Sequence, residues 1–193
     1  MTTSKKRCPQ CRKSFPTESM VRFGVQHFCK FEHAVAYANK PSTKKKGEKI
    51  KRTNMRERKE KLKSIADLTR EAQTAVNAYI RARDHGKPCI SCQVHVIHKR
   101  GGAMDAGHYR SRGSAGHLRF NVLNIHSQCV TCNRWQSGNV VDYRIALIKR
   151  IGLENVEKLE NDNSTRKFTR EYLKRIKVIF NKRARWYKKR KGL

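Results

Sequence analysis

Apolar residues are sparse along this chain, and where they recur they mostly do so at helical steps. Ile65, Leu68, Ala72, Val76, Tyr79 and Ile80 are spaced by three and four, which predicts an amphipathic helix from Ser64 that Gly86 and Pro88 terminate. That stripe suits a core face, with a dimer seam as the other use. Phe168, Tyr172, Leu173, Ile176, Ile179, Phe180 and Trp186 repeat the pattern from Arg166 onward, with basic residues on the remaining face. Trp135, Val140, Val141, Tyr143, Ile145, Leu147 and Ile148 predict a mainly helical segment over 133–150, broken at 137–139. FEHAVAYANK at 31–40 and IGLENVEKLEND at 151–162 read as short helices. A period of two appears once. Val94, Val96 and Ile97, with His95 and His98 between them, predict a short strand, GGAM at 101–104 its hairpin turn, and 104–109 a second strand.

Residues 41–63 have almost no apolar content and read as a linker, or as a helix that orders on nucleic acid. Four segments follow: a small finger at 1–40, this basic segment at 41–63, a core with its leading helix at 64–150, and basic C-terminal helices at 151–193.

Composition limits what that core can be. Only 37% of the 193 residues are hydrophobic and 32% are charged, too little apolar material for a thick sheet sandwich, so small stapled units are expected. The 46 Lys and Arg against 15 Asp and Glu give a net charge of +31. Such a surplus draws polyanions, because each neutralised phosphate releases condensed counterions. A membrane-surface helix or a basic tail would gather the charge in one place, whereas here it runs from Lys5 to Lys191, which favours nucleic acid. No apolar run approaches the roughly 18 residues of a membrane span, and MTTSKKRCPQC lacks the apolar centre of a signal peptide. A cytoplasmic setting is expected, and in a reducing compartment the seven cysteines read as metal ligands rather than disulfides.

Their spacing agrees. Cys8, Cys11, Cys29 and His33 form C-x2-C-x17-C-x3-H, three thiolates and an imidazole for tetrahedral zinc, with His27 competing for the fourth position. Cys89, Cys92, Cys129 and Cys132 form C-x2-C-x36-C-x2-C, a closed set of four thiolates. A closed site holds a fold and leaves no position for chemistry, so any catalysis belongs to the loop between the knuckles. Hydrolysis of a phosphodiester needs a water, a base and positive charge around the phosphate. The loop offers one acid, Asp105, the histidines His108, His117 and His126, and the amides Asn121 and Asn124, with Asn133 just beyond the second knuckle.

DAGHYRSRG followed by LRFNVLNIHSQCVTCNRWQSGN resembles the HNH type of ββα-metal nuclease in its zinc-knuckle form, over 88–139. With its basic surroundings most of the chain resembles the NinG/Rap recombination endonuclease family of lambdoid phages. The resemblance implies an α+β fold, a small zinc-stapled, treble-clef-like ββα-metal core with flanking basic helices and an N-terminal zinc finger. It implies His108 as general base, Asn124 as the amide that orients it, and Asn133 with Asp105 as ligands of a catalytic Mg2+ or Mn2+. Relatives place an acid or histidine directly before the base, where this chain has Gly107. Asp105 must then reach in, with His126 as its substitute. The implied activity is cleavage of branched DNA such as D-loops and Holliday junctions, by a homodimer that cuts two strands. Arg110, Arg112 and Arg119 flank the base, and Lys51, Arg52, Arg56, Arg58, Lys174, Lys177 and Arg183 suit phosphate contacts along the flanking helices. The alternative is a zinc-finger nucleic-acid-binding accessory protein without catalysis, which would have no use for an acid inside a positive surface. A homing-type nuclease reading base edges on duplex DNA is a weaker third.

Overall fold

A computed structural model describes residues 4–95 and 104–193. It is a mixed α+β structure in which the chain divides into two compact units after Leu62.

The first unit begins with two small antiparallel hairpins, β1 (Lys5–Arg7) with β2 (Ser14–Pro16) and β3 (Val21–Phe23) with β4 (Gln26–Phe28). Helix α1 (Phe31–Asn39) follows. Strands of three residues cannot bury a core of their own, and the apolar centre is correspondingly small: Cys8, Met20, Phe28 and Ala34, with Phe15 and Tyr37 against them. The 41–63 segment is helical: α2 spans Pro41–Leu62 and buries no residue. Its Lys, Arg and Glu content is strongly helix-forming, and Pro41 starts it where a missing N–H costs nothing.

The second unit is built around α3 (Ile65–Arg83) and α6 (Arg170–Lys191), which pack along each other. Ser64 opens α3 with a capping box, its hydroxyl accepting from Asp67 N–H while the Asp67 carboxylate accepts from Ser64 N–H, both at 3.1 Å. The predicted stripe Leu68, Ala72, Val76 and Ile80 meets Leu173, Phe180 and Ala184 of α6, together with Phe120 and Ile125. The apolar face that would have suited a dimer seam is thus covered by the chain's own C-terminal helix. A second cluster joins α4 (Val140–Ile151) and α5 (Leu153–Asn161) through Tyr143, Leu147, Val156 and Leu159 to Ile90, Tyr109 and Leu118.

Strand β5 (Met104–His108) matches the expected second strand, but its partner differs from the one the periodicity suggested. It pairs antiparallel with β6 (Ile125–Cys129), from Met104 opposite Cys129 to His108 opposite Ile125. Val94 and His95 are in coil, and the rest of the proposed strand and turn lies outside the described residues. β6 escapes a polarity reading because Ile125, His126, Ser127, Gln128 and Cys129 are all buried, so its two faces show no alternation. After β6 the chain makes one π-helical turn, Thr131–Trp135, and enters α4 beyond a bend at 137–139. Among the described residues no helix is long and apolar enough to cross a membrane.

Candidate functional site

Two metal-competent clusters form where the spacing predicts them. The ligand atoms of Cys8, Cys11, Cys29 and His33 lie within 4.8 Å of one another, as do those of Cys89, Cys92, Cys129 and Cys132. Tetrahedral zinc with bonds of about 2.3 Å to sulfur sets sulfurs about 3.8 Å apart. Cys11 and Cys29 are at 3.7 Å, and Cys92 and Cys129 at 3.8 Å. The choice between histidines resolves in favour of His33, whose Nδ1 is 3.1 Å from Cys29 Sγ, while His27 sits beside Lys6 Nζ. Burial pushes the thiols of this cluster up; at Cys89 the N–H groups of Cys129, Cys92 and Ser91 outweigh it and hold the thiol below its ordinary value, whereas Cys92 and Cys129 stay above theirs, so a bound metal would have to displace their protons. The second cluster ties the end of β6 to the turn that begins the helical segment, and Met104 of β5 packs into it.

That clamp fixes the walls of a polar cleft of about 460 Å³ lined by Asn77 and Arg81 of α3, Asp105, Ala106 and His108 of β5, Ser111, Arg112, Asn133, Arg134, Ser137 and Gly138. Of the four site residues the resemblance implies, Asp105, His108 and Asn133 meet there and Asn124 does not. Asn133 Nδ2 donates to Asp105 Oδ2 at 2.9 Å, and Arg134 grips the same carboxylate through Nε at 2.7 Å and Nη2 at 3.0 Å. The Arg134 guanidinium, against partial burial and with help from the Asn133 amide, holds the Asp105 carboxyl below the usual range. Asp105 is the only carboxylate among the described lining residues.

His108 is half-buried and its Nε2 lies 3.1 Å from the Arg119 carbonyl, which can only accept. Nε2 therefore carries the proton and Nδ1 keeps its lone pair. Burial, then the charges of Arg112 and Arg119, push its pKa down to about 4 against the carbonyl's opposing pull, so the ring is neutral at pH 7.

Asn124 is fully buried, and its hydrogen bonds go to backbone groups rather than to the ring. Its Oδ1 accepts from Arg110 N–H at 2.8 Å, its Nδ2 donates to the Arg110 carbonyl at 3.0 Å, and its own carbonyl accepts from Tyr109 N–H at 2.9 Å. It pins the two residues after His108, and so fixes the end of β5 rather than the imidazole directly. His126 is not brought to the cleft. It is buried with Nδ1 3.0 Å from Arg83 and Nε2 3.1 Å from the Leu123 carbonyl, in a network that includes Asp84, itself accepting from Ser127 N–H.

Gly107 has a packing reason for being glycine. A Cβ there would lie 2.2 Å from Gln128 Oε1 and 2.9 Å from Gln128 Cβ. The Gln128 amide, which donates to Ser91 Oγ at 2.8 Å and to the Gly138 carbonyl, fills the place a side chain would take. Gly107→Ala should therefore lower stability by about 1–3 kcal/mol, the usual cost of overpacking, read as a depressed thermal midpoint. An unchanged midpoint would mean that Gln128 moves aside freely.

The basic candidates separate. Arg110 Nη1 donates to the carbonyls of Leu159, Glu160 and Asp162 at 2.7–3.0 Å, capping the C-terminus of α5 rather than presenting itself to a phosphate. Lys177 is paired with Glu71 at 2.8 Å. Arg112 is exposed at the cleft rim, and Lys51, Arg52, Arg56, Arg58, Lys174 and Arg183 are exposed on α2 and α6. Asn77, Arg81 and Arg134 were not anticipated. Asn77 and Arg81 stand one turn apart on the polar side of the α3 stripe, and that i, i+4 pair is the signal that could have found them.

Over residues 1–190 the chain matches the family described as Bacteriophage Lambda NinG protein. Protein ninG of Salmonella phage P22 and protein ninG of Escherichia phage lambda are each 44% identical to it over 128 residues, 66% of this chain and 61% of either relative. Protein ninG of Escherichia phage 933W is 36% identical over 195 residues, 94% of this chain and 93% of the relative. The chain thus spans about 61% of the P22 and lambda relatives it matches. No solved structure matches.

Proposed function

The chain belongs to the NinG family of lambdoid phages, and on that premise we propose that it is a structure-selective DNA endonuclease of the HNH type, hydrolysing phosphodiester bonds in branched recombination intermediates. The observation that carries this reading is the convergence of His108, Asp105 and Asn133 on one cleft walled by basic side chains and clamped by the four-cysteine cluster. An accessory protein that only binds DNA has no need of a neutral imidazole and a carboxylate facing the same opening.

The residues divide the work as follows. Arg81 and Arg112 draw a strand phosphate into the cleft. Burial is the main reason the His108 pKa is low, and the phosphate's negative charge offsets the smaller contributions of Arg112 and Arg119, so the imidazole gains basicity when substrate arrives. His108, held through Nε2–H by the Arg119 carbonyl, accepts a proton from the attacking water at Nδ1. Asn124 keeps the end of β5 in place by pinning Arg110. Asp105 and Asn133 would hold a divalent ion in exchange for the Arg134 guanidinium that now binds both Asp105 oxygens, their oxygens suiting Mg2+ or Mn2+. Such an ion supplies Lewis acidity to the phosphate and lowers the pKa of water. The exposed basic residues of α2 and α6 provide phosphate contacts to the arms.

A non-catalytic DNA-binding role is the second reading. It is favoured by the Asp105–Arg134 ion pair, which leaves the cleft's carboxylate neutralised. Asp105→Asn separates the two. It removes the charge that would hold the ion at nearly constant volume, so cleavage should be lost while zinc content and junction binding persist. Cleavage at the parental rate would defeat the role given to Asp105.

A further inference from the structure

A second cleft, of about 300 Å³, opens between the segment around His117, the chain after α5 and the start of α6. Phe120, Tyr172 and Arg166 form one wall, with Phe168 packed against the rings. The rings of Phe168 and Tyr172 lie 5.4 Å apart and nearly parallel at 11°, Phe120 packs 5.0 Å from Phe168, and the Arg166 guanidinium covers Tyr172 at 4.3 Å. The opposite side is polar. His117 Nε2 donates to the Asp162 carbonyl at 2.9 Å, the Asp162 carboxylate accepts from Ser164 N–H, and Asn121, whose Oδ1 accepts from Leu123 N–H, brings a donor amide.

We propose that this cleft takes one unpaired nucleobase of a branched DNA, stacked on the Arg166–Tyr172 platform with an amino group of the base facing the Asp162 carboxylate. The proposal rests on the branched-DNA reading above and names how a branch would be told from a duplex. Flat π faces and guanidinium planes are what unstacked bases bind. A carboxylate in the wall repels phosphate and accepts from exocyclic amines, so the cleft suits a base edge and not a backbone group. Intact duplex offers no such base, whereas the displaced strand of a D-loop, or a junction with an unpaired nucleotide at its branch, does. The position is also right. The turn that carries His117 continues directly into Arg119, whose carbonyl holds His108, so a base captured here would place the adjoining strand toward the first cleft.

The test is binding, with both zinc clusters loaded and no Mg2+ or Mn2+ added, to junctions carrying one unpaired nucleotide at the branch. The unpaired position holds cytosine, thymine or an abasic residue. The wild-type protein should prefer cytosine over the abasic junction by about tenfold, the scale of one stacking contact, with thymine between. Arg166→Lys keeps the charge and loses the plane, and should shrink that preference to about twofold. Asp162→Asn should erase the difference between cytosine and thymine. Millimolar deoxycytidine monophosphate should not displace the junction, and displacement would assign the cleft to a free nucleotide instead. Equal binding to cytosine and abasic junctions, or a full preference retained by Arg166→Lys, would overturn the proposal. No cleavage is read, so a positive result stands whatever the first cleft does, and a cleft that hydrolyses DNA does not rescue a negative one.

Discussion

His108→Ala should lower the rate of junction cleavage by about 10²- to 10⁴-fold, the usual contribution of a positioned general base, while leaving junction affinity and zinc content unchanged. The imidazole is only half-buried and gives one hydrogen bond to the Arg119 carbonyl, so its removal costs the fold about 1 kcal/mol, too little to unfold it. The arginines proposed to contact phosphate remain, so binding has no reason to fall. The pH dependence gives a second signature. In the free protein the ring protonates only near pH 4, because burial and then Arg112 and Arg119 disfavour its charge. The neutral, proton-accepting form is therefore present throughout the physiological range and is lost as pH falls through that value, taking cleavage with it at limiting substrate. Parental cleavage by His108→Ala would remove His108 as the base.

Cys129→Ser should have the largest effect on the fold. The four thiolates join the segment before β5, the end of β6 and the following turn, a region whose own apolar centre is little more than Met104. Structural zinc in small motifs binds with about 10–16 kcal/mol of apparent free energy, as much as an entire small domain has in net stability. Losing one ligand should reduce bound zinc from two equivalents to one, and the melting transition of the second unit should fall or vanish. The first unit carries its own cluster and should keep its metal. Two equivalents of zinc with an unshifted transition would show that the fold does not depend on this clamp.

The ligand sets and the long helices were legible because their physics is local. A C-x2-C knuckle needs only its own turn, and the stripes of α3 and α6 repeat at the period of the helix that buries them. His108, Asp105 and Asn133 were singled out by the resemblance to the HNH motif rather than by any local pattern, and the structure brings the three to one cleft. What stayed hidden depends on contacts distant in sequence. β6 shows no alternation because both faces are buried. Arg110 looks like any other arginine until α5 ends against it, and His126 looks like a ligand until Arg83 and the Leu123 carbonyl occupy its two nitrogens. Gly107 read as a missing ligand, whereas Gln128 leaves no room for a side chain there.

Hydrolysis of the DNA backbone is read out by strand scission. The zinc-loaded protein should be incubated with end-labelled four-way junction, D-loop and linear duplex of matched sequence, with and without Mg2+ or Mn2+. Metal-dependent cuts are expected near the branch in the first two substrates, with at most slow cutting of the duplex. Tight binding to all three with no strand cut under any metal condition would contradict hydrolysis, and would leave a DNA-binding protein without catalysis.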